Sequence, residues 1–228
     1  MKQVRRFGFA TAWLCGTALL IAAFIVLFSY AGCSSNDKSK ENVPHKTSAF
    51  SDPAIRFKDT MDRLWEDHVT WTRNVILCLV DELPGADQAV NRLLQNQVDI
   101  GNAIKPYYGD EAGNKLTELL KAHINIAADV VKSAKAGNNI ALDSANKKWF
   151  ANADEISEFL SKANPDWPLA DMKRMMDDHL KLTTDEAVQR IKKNYDADIV
   201  AYDKVHDEIL KMSDMLSEGI IKQFPDKF

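Results

Sequence analysis

The segment with the most reactive side chains runs from Trp65 to Arg73 and reads Trp-Glu-Asp-His-Val-Thr-Trp-Thr-Arg. An imidazole can hydrogen-bond a ligand or bind a metal, and a guanidinium binds carboxylates and other anions. In a helix, four of these residues share one broad face: Trp65, His68, Thr72 and Arg73. We predict that this face lines a ligand pocket, together with Asn152, a polar residue on a later apolar stripe.

Arg73 has a second interpretation. A guanidinium on an inward face is costly to bury without a carboxylate partner. Asp99 and Asp198 are the candidate partners, and either would give an internal ion pair that fastens the first helix to its neighbours.

Three histidines interrupt apolar stripes, each in a different predicted helix: His68, His123 and His179. Neutral imidazoles on facing helices are the means by which helical bundles build metal sites. Asp198 lies on the apolar stripe of the last helix. The three histidines and Asp198 are therefore the predicted ligands of a divalent metal, if one is bound.

Register estimates weaken this metal hypothesis. Folding the chain at its glycine breaks places His68 opposite Asn102, and Asn102 opposite Leu116 on the next helix. His123 is then seven residues away, which is roughly 10 Å along the bundle. The alternative is that each histidine is a core residue whose ring is satisfied by neighbouring oxygens.

The elements that must position these residues are helices. Gly and Pro fall between stretches of helical periodicity, and no run alternates at period two, so we predict an all-α domain. About six helices are expected, running approximately over 53–83, 87–104, 110–136, 142–163, 168–182 and 183–221. Short connections predict an up-and-down bundle. A further register estimate places Asn152 opposite His179. Thr183-x-x-Glu186 is typical of a capping box, which either starts the last helix or marks a kink.

Composition excludes several classes of protein. The chain has 228 residues, of which 46% are hydrophobic and 27% charged, with 3 Cys, so it is neither a disulfide scaffold nor a disordered chain. Residues 34–228 hold all 33 acidic and 26 of the 29 basic residues. An acidic domain without a basic stripe is not expected to bind nucleic acid.

The N-terminus predicts export. Residues 7–32 carry no charge and follow Lys2, Arg5 and Arg6, so the segment is long enough to span a bilayer with its basic flank in the cytoplasm. Residues 34–52 are polar and lack apolar periodicity, which is typical of a linker. We therefore predict an anchor over 1–33, a linker over 34–52 and a bundle over 53–228 on the extracytoplasmic side of a bacterial membrane, in the periplasm or at the cell surface.

Two kinds of anchor fit these residues. Ala31-Gly32-Cys33 resembles a bacterial lipobox and predicts lipidation of Cys33, although Tyr30 replaces the usual aliphatic residue. The alternative is a retained transmembrane helix, because the apolar segment exceeds the 7–15 residues typical of a signal core. Both outcomes tether the domain to the membrane.

Residues 65–73 also carry a family resemblance. Their pattern, W-x-x-H-x-x-W-T-R, resembles that of an uncharacterised group of small exported bacterial all-helical proteins, and residues 219–228 resemble the ending of that group. The resemblance implies no established activity. Chains of this kind are sometimes labelled glycosyltransferase or acetylglutamate kinase, but the sequence has neither a Gly-rich phosphate loop nor alternating strands and helices to support this.

Three functions follow, in order of preference. The first is a membrane-tethered binding or accessory module that holds a small ligand or a partner. The second is a metal-binding bundle that uses the core histidines. The third is a hydrolase or transferase, for which no nucleophile and base occur at recognisable spacing.

Overall fold

The structure is a computed structural model, and it describes residues 52–228. The predicted anchor, Cys33 and residues 34–51 of the predicted linker lie outside the described residues. Within residues 52–228 the chain is helical and contains no strand, which confirms the predicted class. The helices are α1 Pro53–Asp81, α2 Ala86–Lys135, α3 Asn139–Ala163, α4 Leu169–Ile191 and α5 Tyr195–Gln223, followed by a short 3-10 helix, Pro225–Lys227.

The predicted count of about six helices becomes five, because predicted helices 2 and 3 form one element. Gly109 interrupts α2 with non-helical backbone, φ 84° and ψ 169°, and divides it into two arms, residues 86–108 and 110–135. A left-handed φ is accessible to glycine at little cost. The break lies where the sequence predicted it, and the two arms pack against each other.

Two glycines allow the arms of α2 to approach closely. A Cβ on Gly101 would lie 2.5 Å from the carbonyl oxygen of Gly113, and a Cβ on Gly113 would lie 2.6 Å from that of Gly101. Thr117 packs into the same contact, and its hydroxyl donates to the Gly113 carbonyl at 3.0 Å. Only glycine fits at these two positions without moving the backbone.

The predicted boundary between the last two helices is wrong. Thr183 and Glu186 do not cap a helix, since α4 continues through them to Ile191. The chain turns instead at Lys193, whose φ of 59° is left-handed, and α5 begins at Tyr195. No Gly or Pro marks this turn.

Helix α5 closes the bundle by returning antiparallel to α1. Lys58, near the start of α1, pairs with Asp214 in the second half of α5 at 2.8 Å. Arg73, two-thirds of the way along α1, contacts Asp198 in the first turn of α5. The apolar faces of the helices pack into a core in which Ile100, Met172 and Leu180 are among the fully buried side chains.

Candidate functional site

The bundle brings the three predicted histidines together. The ring centroids of His68 and His179 are 5.7 Å apart, and those of His123 and His179 are 6.5 Å apart. All three side chains are buried. The predicted register of α1 against α2 is wrong, because Gln97, and not Asn102, lies against His68. His179 of α4, which the register estimate left out, is the histidine that neighbours both of the others.

His123 is satisfied at both ring nitrogens. The indole Nε1 of Trp149, which can only donate, contacts Nε2 of His123 at 3.0 Å. The ring proton is therefore on Nδ1, which donates to Oδ1 of Asn152 at 2.9 Å. Asn152 in turn donates to the Leu119 carbonyl at 3.2 Å, so it faces His123 and not His179 as predicted. Burial lowers the pKa of His123 to about 3, with a smaller contribution from the nearby His179.

His68 is satisfied at one nitrogen only. Its Nδ1 lies 3.3 Å from the amide nitrogen of Gln97, which can only donate, so the neutral ring carries its proton on Nε2. The same amide nitrogen also contacts the Leu93 carbonyl at 2.8 Å and Oδ1 of Asn96 at 3.0 Å, so its two N–H groups are shared among three acceptors. The amide oxygen of Gln97 is buried and has no hydrogen-bond partner within residues 52–228. Burial, and then the proximity of the other two histidines, lowers the pKa of His68 well below its ordinary value.

His179 uses Nδ1 to contact the carboxylate of Glu208 at 2.8 Å. A carboxylate accepts, so Nδ1 carries a proton, and in the tautomer with that single ring proton Nε2 is an acceptor. Among the hydrogen bonds of residues 52–228, none engages Nε2 of His68 or Nε2 of His179.

Trp65 completes this group of open polar atoms. Its indole Nε1 is buried and has no hydrogen-bond partner within the described part of the chain. The ring lies against His68, with centroids 5.7 Å apart. Buried N–H groups without a partner are rare in folded proteins, and each one requires an explanation.

Trp65 and the three histidines line one internal cavity of about 30 Å³, here called the histidine cavity. The rest of its wall is apolar and includes Met61, Met176, Met212, Ile100, Leu120 and Trp167. The residues of its lining carry two donors, Nε1 of Trp65 and Nε2 of His68, and one acceptor, Nε2 of His179. This arrangement suits a small neutral molecule that accepts and donates hydrogen bonds.

The predicted metal ligands do not form a metal centre in the described residues. No group of three or more His, Cys, Asp or Glu side chains in residues 52–228 is placed to hold an ion. Both nitrogens of His123 are already hydrogen-bonded, and Asp198 is engaged by Arg73. The structure lends the metal hypothesis no support.

Arg73 does not line the histidine cavity. Its Nη1 and Nη2 donate to the two carboxylate oxygens of Asp198 at 2.7 and 2.9 Å, and Nη1 also contacts Glu186 at 2.7 Å. Arg190 bonds both Asp198 and Asp81. We call these five residues the arginine network. It contains the predicted ion pair with Asp198, while Asp99, the other candidate, accepts from Gln95 on the exposed side of its helix.

The arginine network shifts the pKa values of its members. Hydrogen bonding to Asp198 raises the pKa of Arg73 above its ordinary, already high value. Burial raises the pKa of Glu186 to about 7, against the opposing influence of Arg73. The guanidinium groups of Arg73 and Arg190 outweigh burial at Asp198 and lower the pKa of that carboxyl.

Thr72 lines a second cavity of about 100 Å³, here called the apolar cavity. Its hydroxyl donates to the His68 carbonyl one turn earlier, at 2.7 Å. Thr183 lines the same cavity, and its hydroxyl is buried without a partner in the described structure. The predicted pocket residues thus separate: Trp65 and His68 line the histidine cavity, Thr72 lines the apolar cavity, Asn152 supports His123, and Arg73 lies in the arginine network.

Sequence reasoning missed three residues of these sites: Thr183, Glu186 and Glu208. Thr183 and Glu186 were interpreted as a capping box, but their spacing of three also places them on one helix face. That face continues the line of Met172, Met176 and His179, which was the available signal that both point inward. Glu208 gave no such signal, because it lies beside the apolar stripe of α5.

Comparison with protein family models, with curated proteins and with solved structures gives no significant match. Among the helices of residues 52–228, none combines the length and apolar character needed to cross a bilayer.

Proposed function

We propose that this protein is a membrane-tethered binding module that holds a small neutral molecule in the histidine cavity, on the outer side of the cytoplasmic membrane. The tether rests on the charge-free residues 7–32, on the basic residues before them and on Cys33. The binding role rests on the cavity.

The unpartnered indole N–H of Trp65 is the observation that carries the proposal. A core built for stability alone would pair this donor, because an unsatisfied buried polar group destabilises a fold by about 1–3 kcal/mol. His68 and His179, whose Nε2 atoms have no partner in residues 52–228, line the same cavity as Trp65, so we infer that three polar atoms can meet one occupant.

The complementary ligand has an acceptor for Trp65 and His68 and a donor for His179. A primary carboxamide has both. It is also uncharged, which suits this site because burial there disfavours charge, as the lowered pKa of His68 indicates. The cavity of about 30 Å³ must enlarge to take such a group, since one water molecule already needs roughly 10–15 Å³. The thioether side chains of Met61, Met176 and Met212 in its wall are unbranched and can repack around an occupant.

A thermal-shift titration of the full chain with acetamide tests the proposal. Trp65→Phe removes the open N–H and keeps an aromatic ring in place. Trp167→Phe is the matched control, because Trp167 lines the same cavity but donates to the Met215 carbonyl at 3.4 Å.

We expect millimolar acetamide to raise the melting temperature saturably in the wild type and in Trp167→Phe, and to leave Trp65→Phe unchanged. Equal responses of the two variants would refute the role of the Trp65 N–H, and no saturable response of the wild type would refute binding in the cavity.

A further inference from the structure

The apolar cavity lies apart from the histidine cavity and is about three times as large, 100 Å³ against 30 Å³. Four elements build it: α1 contributes Ile76, the second arm of α2 contributes Ile124 and Ala128, α3 contributes Asn146, and α4 contributes Thr183. Protein interiors pack to the density of organic crystals, and voids larger than a water molecule are few. A void of this size therefore requires an explanation.

The unpartnered hydroxyl of Thr183 indicates that the cavity is built for an occupant. Two other threonines of the same wall bond to the carbonyl one turn earlier, Thr72 to His68 and Thr184 to Leu180, both at 2.7 Å. Thr183 makes no such bond in the described structure, although its side chain is buried. Its hydroxyl remains open as a donor and an acceptor beside a mostly apolar wall.

The lining defines the chemistry of that occupant. No residue of the lining carries a charge, so a charged molecule would lose its hydration without compensation. The volume is somewhat smaller than the ~150 Å³ of an apolar cavity that holds benzene. Leu142 and Asn146, near the start of α3, and Thr184, in the second half of α4, are only partly buried, so this side of the lining lies nearest the surface.

We propose that the apolar cavity is a second binding site, which takes a compact hydrocarbon body carrying one hydroxyl or carbonyl group, with that group hydrogen-bonded to Thr183. This site is independent of the occupant proposed for the histidine cavity.

Methyl NMR of the full chain in lipid nanodiscs tests the site, with cyclopentanol and cyclopentane as probes. The methyl groups of Ile76 and Ile124 report on the cavity. Thr183→Val removes the open hydroxyl and keeps the shape of the side chain. Thr184→Val is the matched control, since that hydroxyl is already bonded to Leu180. Ala128→Leu fills the cavity.

We expect both probes to shift the two isoleucine signals saturably in the wild type and not in Ala128→Leu. Thr183→Val should weaken cyclopentanol binding about threefold to tenfold, the equivalent of one net hydrogen bond, and leave cyclopentane binding unchanged. Thr184→Val should bind both probes like the wild type. Absence of saturable shifts in the wild type would overturn the site. Equal cyclopentanol affinity in the two threonine variants would overturn the role of Thr183.

Discussion

Trp149 donates its indole N–H to Nε2 of His123 at 3.0 Å, and this bond joins the linings of the two cavities of the bundle. Trp149 lines the apolar cavity and His123 lines the histidine cavity. The bond occupies the nitrogen that would otherwise be open to an occupant. His123 is therefore a wall residue, which leaves His68 and His179 as the histidines available to a ligand.

The neutral state of His123 predicts a loss of stability in acid. Its pKa is about 3 in the folded protein and about 6.5 in the unfolded chain, so protonation below pH 6.5 favours unfolding. Between pH 7 and pH 5 this group alone should lower the free energy of unfolding by about 2 kcal/mol.

His123→Gln isolates that contribution. Urea unfolding of the wild type and the variant at pH 7 and pH 5 should show a smaller acid-induced loss in the variant, by about 2 kcal/mol. Glu186, whose raised pKa of about 7 makes stability fall as pH rises above about 4.5, is present in both proteins and cancels from the difference. The same acid-induced loss in both proteins would contradict the assignment.

The helical class and most helix boundaries could be predicted from the sequence, because Gly, Pro and the capping residues occur where the chain turns. The register between neighbouring helices could not be predicted in this way. Helix α1 ends at Asp81, before the Pro84-Gly85 break used to estimate the fold, and that shift brings Gln97 to His68. Loop geometry of a few residues decides which side chains meet, and amphipathic periodicity carries no information about it.

Arg73 is expected to be a stability residue. The side chains of Asp198 and Glu186 are each only 1% exposed. Arg73→Met removes their shared guanidinium partner, which should lower the free energy of unfolding by about 3–5 kcal/mol. Arg92→Met is the control, since Arg92 and its partner Asp67 are 36% and 40% exposed, and its loss should be below about 1 kcal/mol. Urea unfolding midpoints compare the two. Similar losses in both variants would contradict a structural role for the arginine network.

Gly101→Ala should destabilise the hairpin of α2 arms. Its Cβ would meet Thr117 and the Gly113 carbonyl, so the arms must separate, at a cost of about 1–3 kcal/mol despite the better helix propensity of alanine. Asn102→Ala, on the exposed side of the same helix, should be neutral or stabilising. Thermal unfolding measures both. Full rescue of Gly101→Ala by Thr117→Ala would show that the backbone contact does not matter.

Cys33→Ser should block processing of the N-terminus. If Cys33 carries the acyl anchor, the variant accumulates as a heavier precursor, which gel migration and mass spectrometry of the membrane fraction detect. Identical mass and identical membrane association of the wild type and the variant would favour the retained transmembrane helix.

The candidate site was partly predictable for a similar physical reason. Trp65 and His68 are one turn apart on one helix, so local spacing placed them together correctly. Asn152 and His123 meet across two helices, and Thr183 and Glu186 face inward only because α4 runs on to Ile191. Contacts of that kind depend on the assembled bundle.

The indole N–H signal of Trp65 tests the ligand site most directly. In a ¹⁵N–¹H spectrum of the full chain, the signal is assigned by its loss in Trp65→Phe. Addition of acetamide should shift it along a saturable curve, while the signals of Trp149 and Trp167, whose N–H groups already have partners, stay in place. An unchanged Trp65 signal, or a linear drift that Trp65 shares with Trp149 and Trp167, would contradict the proposed binding function.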